Sequence, residues 1–137
     1  MHSGLAAREH GFSLVELMVV VVIAGILASI AYPSYTAHLV RANRSAAQSL
    51  MLDAAARQER FLLDRRGYTD VLGAGGLNIS LPQEVSTNYN IVLAVDNNAT
   101  PPIYTIVATP LPGSRQINDG ALTLTSQGTK LPAEKWQ

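Results

Sequence analysis

The sequence predicts an α+β fold, in which one long N-terminal α-helix packs on a small antiparallel sheet of three or four strands. Two observations support this prediction. Apolar residues recur with the period of a helix through the first half of the chain, whereas the second half contains short β-branched and aromatic segments between turn residues. A small sheet needs a partner for its apolar face, and the second half of the helix supplies that partner.

The helix starts with an apolar segment, residues 12–32, that is long enough to cross a membrane. Its 21 residues would span about 31 Å as an α-helix, which matches a hydrocarbon core of about 30 Å. We therefore predict that this segment is a transmembrane helix. Residues 1–11 are short and mixed in character, and the expected cut lies before the apolar segment, between Gly11 and Phe12. They are predicted to be a leader on the cytoplasmic side.

The helical pattern continues over residues 33–66 as an amphipathic helix with a single apolar stripe. The apolar positions of this stripe are Ala37, Val40, Ala47, Leu50, Met51, Ala54, Phe61 and Leu62. Pro33 removes one backbone hydrogen bond and clashes with the preceding turn, so it is predicted to kink the helix, and Gly25 weakens the same region. Gly67 is the predicted stop, because glycine tolerates the conformation that ends many helices.

The second half of the chain is predicted to contain a loop followed by a sheet. Residues 67–88 contain glycines and a proline that break any period, and they are predicted to form the loop. Residues 89–137 are predicted to form the sheet, with strands at 89–95, 103–109 and 121–126. The last of these strands alternates apolar and polar residues, which places Leu122 and Leu124 inward.

Glu16 is the one charged residue of the apolar segment. A charge at bilayer depth costs about 2.5–3.5 kcal/mol on insertion scales, and such residues usually have a partner. A cut after Gly11 would leave the new α-ammonium of Phe12 one helical turn from Glu16. We expect Glu16 to pair with the ammonium of a neighbouring subunit and so to specify assembly rather than stability.

Composition excludes several classes of function. The 137 residues carry ten basic and ten acidic side chains, so no basic excess favours nucleic acid or anionic lipid as the main partner. Cysteine is absent, which excludes disulfides and thiolate sites. No group of histidines or carboxylates has metal-ligand spacing, and no catalytic triad or phosphate loop is recognisable. The sequence therefore predicts no enzyme activity, no metal and no cofactor.

The N-terminal motif carries a resemblance to a known family. G-F-S-L-V-E-L at 11–17, followed by the apolar run and by A-Y-P-S-Y at 31–35, resembles the N-terminus of type IV pilins. The resemblance implies cleavage after Gly11 and N-methylation of Phe12 by a prepilin peptidase. It also implies that Glu16 is the assembly-critical acid and that Pro33 marks a kink.

The rest of the chain fits the same resemblance. R-Q-E-R-F-L-L-D-R-R-G-Y-T at 57–69 and G-A-L-T-L-T-S-Q-G-T-K at 120–130 look most like the minor pilins. Many pilins close their C-terminal region with a disulfide, which this chain lacks. The resemblance implies a structural subunit that enters the inner membrane, joins other pilin subunits and becomes part of an extracellular pilus used in twitching motility, adhesion or DNA uptake.

Other assignments stay open from the sequence. Arg41 and Arg44 lie three residues apart and either flank the membrane surface or contact acidic residues of a neighbouring subunit. A pseudopilin of a type II secretion system is the nearest rival; its calcium-binding acidic loop is disfavoured here, because Asp119 is the one acid between residues 114 and 131. A DNA-binding pilin of an uptake pilus is a weaker alternative, which rests on Arg115, Lys130 and Lys135 in the C-terminal third.

Overall fold

A computed structural model describes residues 11–136, so residues 1–10 of the predicted leader lie outside the described part. The fold is one long helix with a four-stranded antiparallel sheet in the order β1-β2-β3-β4, as the sequence predicts. In chain order the elements are α1 (Leu14–Arg65), α2 (Gln83–Ser86), β1 (Tyr89–Asp96), β2 (Ile103–Pro110), β3 (Leu122–Thr125), β4 (Lys130–Leu131) and a 3₁₀ helix (Ala133–Lys135).

Helix α1 runs without interruption through Pro33. The hydroxyl of Ser29 donates to the carbonyl of Ile26 at 2.7 Å, and that of Thr36 donates to the carbonyl of Pro33 at 2.9 Å. In both, the hydroxyl bonds the carbonyl three residues earlier in the helix. The kink at Pro33 stays a prediction. By length and composition, α1 is able to cross a membrane.

Helix α1 ends at Arg65, one residue earlier than the sequence predicts, so the residue that terminates it is Arg66 and not Gly67. The residue with left-handed backbone is Arg66, with φ of 61°, and its amide donates to the carbonyl of Leu62 at 2.8 Å. Gly67 instead allows a close approach to Asn97, because a Cβ there would lie 3.2 Å from Oδ1 of that side chain. That Asn97 side chain bonds both the amide and the carbonyl of Tyr68, at 2.7 and 3.0 Å, so the β1–β2 turn holds the chain where it leaves the helix.

The described residues divide into two compact units, with the boundary between Ala37 and His38. The second unit contains the hydrophobic core. Alternate residues of β1, β2 and β3 face this core, including Leu122 and Leu124 as predicted. Helix α1 contributes Ala47, Leu50, Met51 and Ala54. Ala37 of the predicted apolar stripe is exposed, because the core begins later along the helix.

The segment predicted as a loop contains the one-turn helix α2, which was not predicted. A four-residue helix is too short to show a period in the sequence. Leu77, Ile79 and Val85 of this segment are buried in the core. They anchor a connection that otherwise runs over the surface of the second unit.

Candidate functional site

The first candidate site is the N-terminal end of α1. Gly11 and Phe12 precede the helix and are exposed, and Glu16 lies in its first turn. The amide of Leu17 donates to the carbonyl of Ser13 at 3.1 Å, so the helical bonding begins one residue before Leu14. Within residues 11–136, Glu16 makes no ion pair or side-chain hydrogen bond. Its carboxylate is therefore available to a group outside this part of the chain.

The surface around Glu16 is apolar and uncovered. Every large hydrophobic side chain between Leu14 and Ile30 is at least half exposed. A contiguous apolar surface of this extent is not stable in water and requires lipid or protein around it. This segment therefore presents one carboxylate within an apolar surface.

Gly25 and Pro33 have no role in packing within the described residues. A Cβ at Gly25 would have no atom within 4 Å, so no close approach explains the glycine. Pro33 is exposed and lacks the amide that would bond the carbonyl of Ser29. Both residues lower the stability of the helix, and neither improves packing within the described residues. This is consistent with a role in contacts that the isolated chain does not make.

Arg41 and Arg44 have different environments. Arg44 makes a bidentate pair with Asp119, with Nε 2.8 Å from Oδ2 and Nη2 2.6 Å from Oδ1. The Asp119 side chain is 6% exposed and is also approached by Nζ of Lys135, at 3.6 Å. Arg41 is exposed and has no ion-pair partner in the described part of the chain. The predicted subunit contacts of both arginines stay a prediction, but Arg44 already has an intramolecular role.

The sequence did not reveal a buried polar residue next to this pair. Gln116 is fully buried, and its amide group donates to the carbonyl of Val40 at 3.1 Å and to the hydroxyl of Tyr89 at 2.7 Å. Burial raises the pKa of Tyr89, and the bond from Gln116 partly offsets that rise. Gln116 thus ties the loop after β2 to α1 and β1. No periodic signal marks such a residue, because it lies in a loop.

The basic residues of the C-terminal third divide into two groups. Nζ of Lys130 lies 5.5 Å from the ring centre of Trp136, and Lys135 lies beside Asp119 and Arg44. We call Arg44, Lys130, Lys135 and Trp136 the basic flank. Arg115 instead lines an open polar cleft with Asn43 and Asn88. The structure therefore brings together two of the three basic residues singled out from the sequence.

Two known protein families match the sequence. The family described as "Type IV minor pilin ComP, DNA uptake sequence receptor" matches residues 33–125. The family described as "Prokaryotic N-terminal methylation motif" matches residues 6–32. Together they cover the apolar segment and most of the second unit.

Several curated proteins are similar to this chain. The type IV major fimbrial protein FimA of Dichelobacter nodosus is 31% identical over 119 residues, which cover 69% of this chain and 76% of FimA. The type IV major pilin protein PilA of Myxococcus xanthus is 38% identical over 63 residues, covering 46% of this chain and 29% of PilA. The type II secretion system core protein G of Pectobacterium carotovorum is 36% identical over 61 residues, covering 44% of this chain and 39% of that protein. The chain thus spans less than two thirds of the latter two relatives.

A solved type IV pilin from Shewanella oneidensis has the same fold. It superposes with a TM-score of 0.54 at 20% identity, and the match covers 72% of this chain and 98% of that one. At this identity the likeness concerns the fold alone. It is consistent with the order of one long helix followed by an antiparallel sheet.

Proposed function

The chain belongs to the type IV pilins, a family of structural subunits and not of enzymes, and we propose that it is a minor subunit of a type IV pilus. The observation that carries this proposal is the exposed apolar segment 12–32, whose one charged residue is Glu16 and which directly follows Gly11. The match of residues 33–125 to a minor pilin family supports a minor rather than a major role.

Assembly is proposed to depend on the processed N-terminus. A prepilin peptidase cuts after Gly11, where no side chain obstructs the protease, and the new amine of Phe12 is methylated. The amine is cationic near pH 7 and stays so after methylation. In the filament it pairs with Glu16 of a neighbouring subunit, and the two desolvated charges compensate each other. A single buried polar pair of this kind also fixes the register between helices.

The proposed route runs from the inner membrane to the pilus. Residues 12–32 hold the subunit in the membrane with the leader in the cytoplasm, and the globular unit lies on the opposite side. The same apolar surface then leaves lipid for the helical core of the filament. The exposure of every large apolar side chain from Leu14 to Ile30 supports a segment whose partners all lie outside the chain.

Intact mass of the protein recovered from sheared surface filaments tests this proposal. A chain that starts at Phe12 and carries one methyl group is the expected species, at an amount well below that of the major pilin. A chain that retains residues 1–11 and is found only in membranes would contradict the proposal. An amount equal to that of the major pilin would contradict the minor role.

A pseudopilin of a type II secretion system is the second candidate, favoured by the likeness to core protein G. Its calcium site is disfavoured, because Arg44 and Lys135 already compensate the charge of Asp119. Deletion of the gene separates the two candidates. A pilin deletion reduces surface pili, whereas a pseudopilin deletion leaves pili intact and blocks secretion.

DNA binding is a finer proposal, favoured by the family description and by the basic flank. Cationic side chains contact phosphates and make binding strongly dependent on salt. The full chain in detergent micelles is expected to retard duplex DNA at low salt. The double variant Lys130→Ala/Lys135→Ala should bind more weakly, with a salt slope smaller by about two. Arg66→Ala, at the exposed residue that directly follows α1, is the matched control, and no retardation at low salt would exclude this function.

A further inference from the structure

We propose that Asn98, in the turn between β1 and β2, is the acceptor of an N-linked glycan. The tripeptide Asn-x-Ser/Thr, in which x is not proline, is the acceptor sequence for this modification. It occurs three times in this chain, as N-R-S at 43–45, N-I-S at 78–80 and N-A-T at 98–100. The inference rests on the proposed function in one respect, because glycan transfer requires the second unit to lie outside the cytoplasm.

The turn after β1 presents the third tripeptide to solvent. Asn98 and Thr100 are both exposed, and Ala99 between them is half-buried. Oδ1 of Asp96 accepts from the backbone amides of Asn98 and Ala99, at 2.9 and 3.3 Å, so the turn is held through its backbone. Neither the side chain of Asn98 nor the hydroxyl of Thr100 makes a hydrogen bond within the described part of the chain. Both groups are therefore accessible to an enzyme without any loss of native contacts.

The first tripeptide is unsuitable because it lies inside α1. Asn43 is half-buried and helical, and its Nδ2 donates to Oε1 of Gln116 at 3.4 Å. Arg44, the middle residue of this tripeptide, makes the bidentate pair with Asp119. An N-linked acceptor belongs to a surface loop, so modification here would require the helix to unwind and the ion pair to break.

The second tripeptide is exposed at its asparagine but anchored on both sides. Leu77 and Ile79, the neighbours of Asn78, are buried in the core, and the carbonyl of Asn78 accepts from Nη1 of Arg57 at 3.0 Å. A transferase that bound this segment would have to draw two apolar side chains out of the core. The tripeptide at 98–100 contains no buried apolar side chain, so the structure favours it over the other two.

The reaction joins Nδ2 of Asn98 to the anomeric carbon of the first sugar. The donor is a glycan linked through diphosphate to a polyprenyl lipid, held in the membrane in which residues 12–32 are proposed to lie. As the nitrogen–carbon bond forms, the bond from the anomeric carbon to the diphosphate oxygen breaks, and its electron pair leaves with the diphosphate. One proton of Nδ2 passes to a base of the transferase, and nothing is oxidised or reduced. The hydroxyl of Thr100 serves in recognition and is not consumed.

Peptide mass spectrometry of the full chain, purified from the membranes and sheared filaments of its native source, tests the site. Cleavage after arginine and glutamate yields residues 67–84, which contain Asn78, and residues 85–115, which contain Asn98. The second peptide is expected to be heavier by the mass of one glycan, and the first to have its unmodified mass. Fragmentation of the second peptide should place the first sugar on Asn98.

Four variants assign the modification to the tripeptide. Asn98→Gln moves the amide nitrogen, and Thr100→Val removes the hydroxyl, so each should abolish the added mass. Thr100→Ser keeps a hydroxyl and should keep the glycan. Asn78→Gln, in the other exposed tripeptide, is the matched control and should be modified like the unaltered chain. All three positions are exposed, so none of these changes disturbs the core.

The outcomes separate this inference from the proposed function. An unmodified peptide 85–115 overturns the glycan site, and so does a glycan that persists in Asn98→Gln. The N-terminal peptide of the same sample reports on pilin processing. A chain that starts at Phe12 but lacks the glycan supports the pilin proposal and overturns this one. A glycosylated chain that retains residues 1–11 does the opposite, because the glycan shows that the second unit has left the cytoplasm without processing.

Discussion

At the scale of single residues, the Arg44–Asp119 pair links the loop after β2 to α1. Both bonds of the pair are short, and the carboxylate is almost fully buried. Such a bidentate pair is stronger than a neutral hydrogen bond and has a defined geometry. The sequence showed two arginines at helical spacing but could not show which of them had a partner 75 residues away.

Replacing Arg44 by alanine is expected to destabilise the globular unit by roughly 2–3 kcal/mol, because Asp119 would remain buried and, among the described residues, would keep Lys135 at 3.6 Å as its one ion-pair partner. Chemical denaturation of the full chain in micelles measures the change. Arg41→Ala is the matched control and should alter stability by less than about 0.5 kcal/mol, since Arg41 is exposed. Equal losses in the two variants would contradict the assigned role, as would full additivity of Arg44→Ala and Asp119→Ala.

Tyr104 is predicted to make the protein sensitive to alkali. Burial, and next the nearby charge of Glu59, raises the pKa of this tyrosine from 10.0 to about 12. A raised folded-state pKa means that the folded chain holds the proton more tightly than the unfolded chain. The stability from neutral Tyr104 is therefore complete below pH 10 and is lost as the pH rises towards about 12.

The size of that loss can be measured by denaturation at a series of pH values. Tyr104→Phe should reduce the fall in stability between pH 10 and about 12 by roughly 2–3 kcal/mol. A smaller fall should remain, because burial also raises the pKa values of Tyr68 and Tyr89. Tyr35→Phe, at an exposed position, is the control. An unchanged alkaline profile in Tyr104→Phe would contradict the prediction.

At the scale of elements, the sequence predicted the long helix from its apolar period, the first two strands from their β-branched and aromatic residues, and the third strand from its alternation. The boundaries and the short elements were harder. Helix α2 and strand β4 have four and two residues, too few for a pattern. Gln58 is fully buried in α1, where its amide bonds the carbonyl and amide of Thr69 at 2.5 and 3.1 Å. Nothing in the sequence marks Gln58 as the residue that hydrogen-bonds the loop after the helix.

Pro33 is expected to matter for assembly more than for folding. Pro33→Ala restores an amide that can bond the carbonyl of Ser29, which stabilises the local helix by up to about 3 kcal/mol. If α1 must bend or unwind when the subunit leaves the membrane, this variant should enter filaments less efficiently than the unaltered chain. The amount in sheared filaments relative to the amount in membranes measures this efficiency.

The comparison needs two further variants. Gly25→Ala should act in the same direction with a smaller effect, since it stabilises the helix by about 1 kcal/mol. Ser34→Ala changes a neighbouring exposed residue and should have no effect. Incorporation of Pro33→Ala at the unaltered level would show that the proline is merely tolerated.

At the scale of the whole molecule, we expect the two units to carry separate tasks. The second unit has its own core without any disulfide, and its C-terminal segment is held by side-chain bonds. Gln48 donates to the carbonyl of Lys135 at 2.7 Å, and the indole of Trp136 donates to the carbonyl of Leu131 at 3.2 Å. The sequence indicated the missing disulfide but not these contacts, because Gln48 and Lys135 lie 87 residues apart and the local bond of Trp136 follows no period. The N-terminal motif at 11–17, by contrast, is contiguous and is recognisable in the sequence, and the assembly role of Glu16 that it implies stays a prediction.

Glu16 provides the test of this separation. Glu16→Ala should leave the stability of the globular unit unchanged, since Glu16 has no side-chain partner within residues 11–136. Incorporation into filaments should fall by more than about tenfold, because removing one member of a buried charge pair costs roughly 2–5 kcal/mol and each 1.4 kcal/mol is tenfold. Glu16→Asp keeps the charge at a shorter reach and should retain part of the incorporation.

Glu134→Ala, at an exposed carboxylate of the second unit, is the control. Membrane insertion should persist in all three variants, because the apolar segment is intact. Normal incorporation of Glu16→Ala would mean that apolar packing alone assembles the subunit, and a parallel loss of stability would mean that the two tasks are not separate.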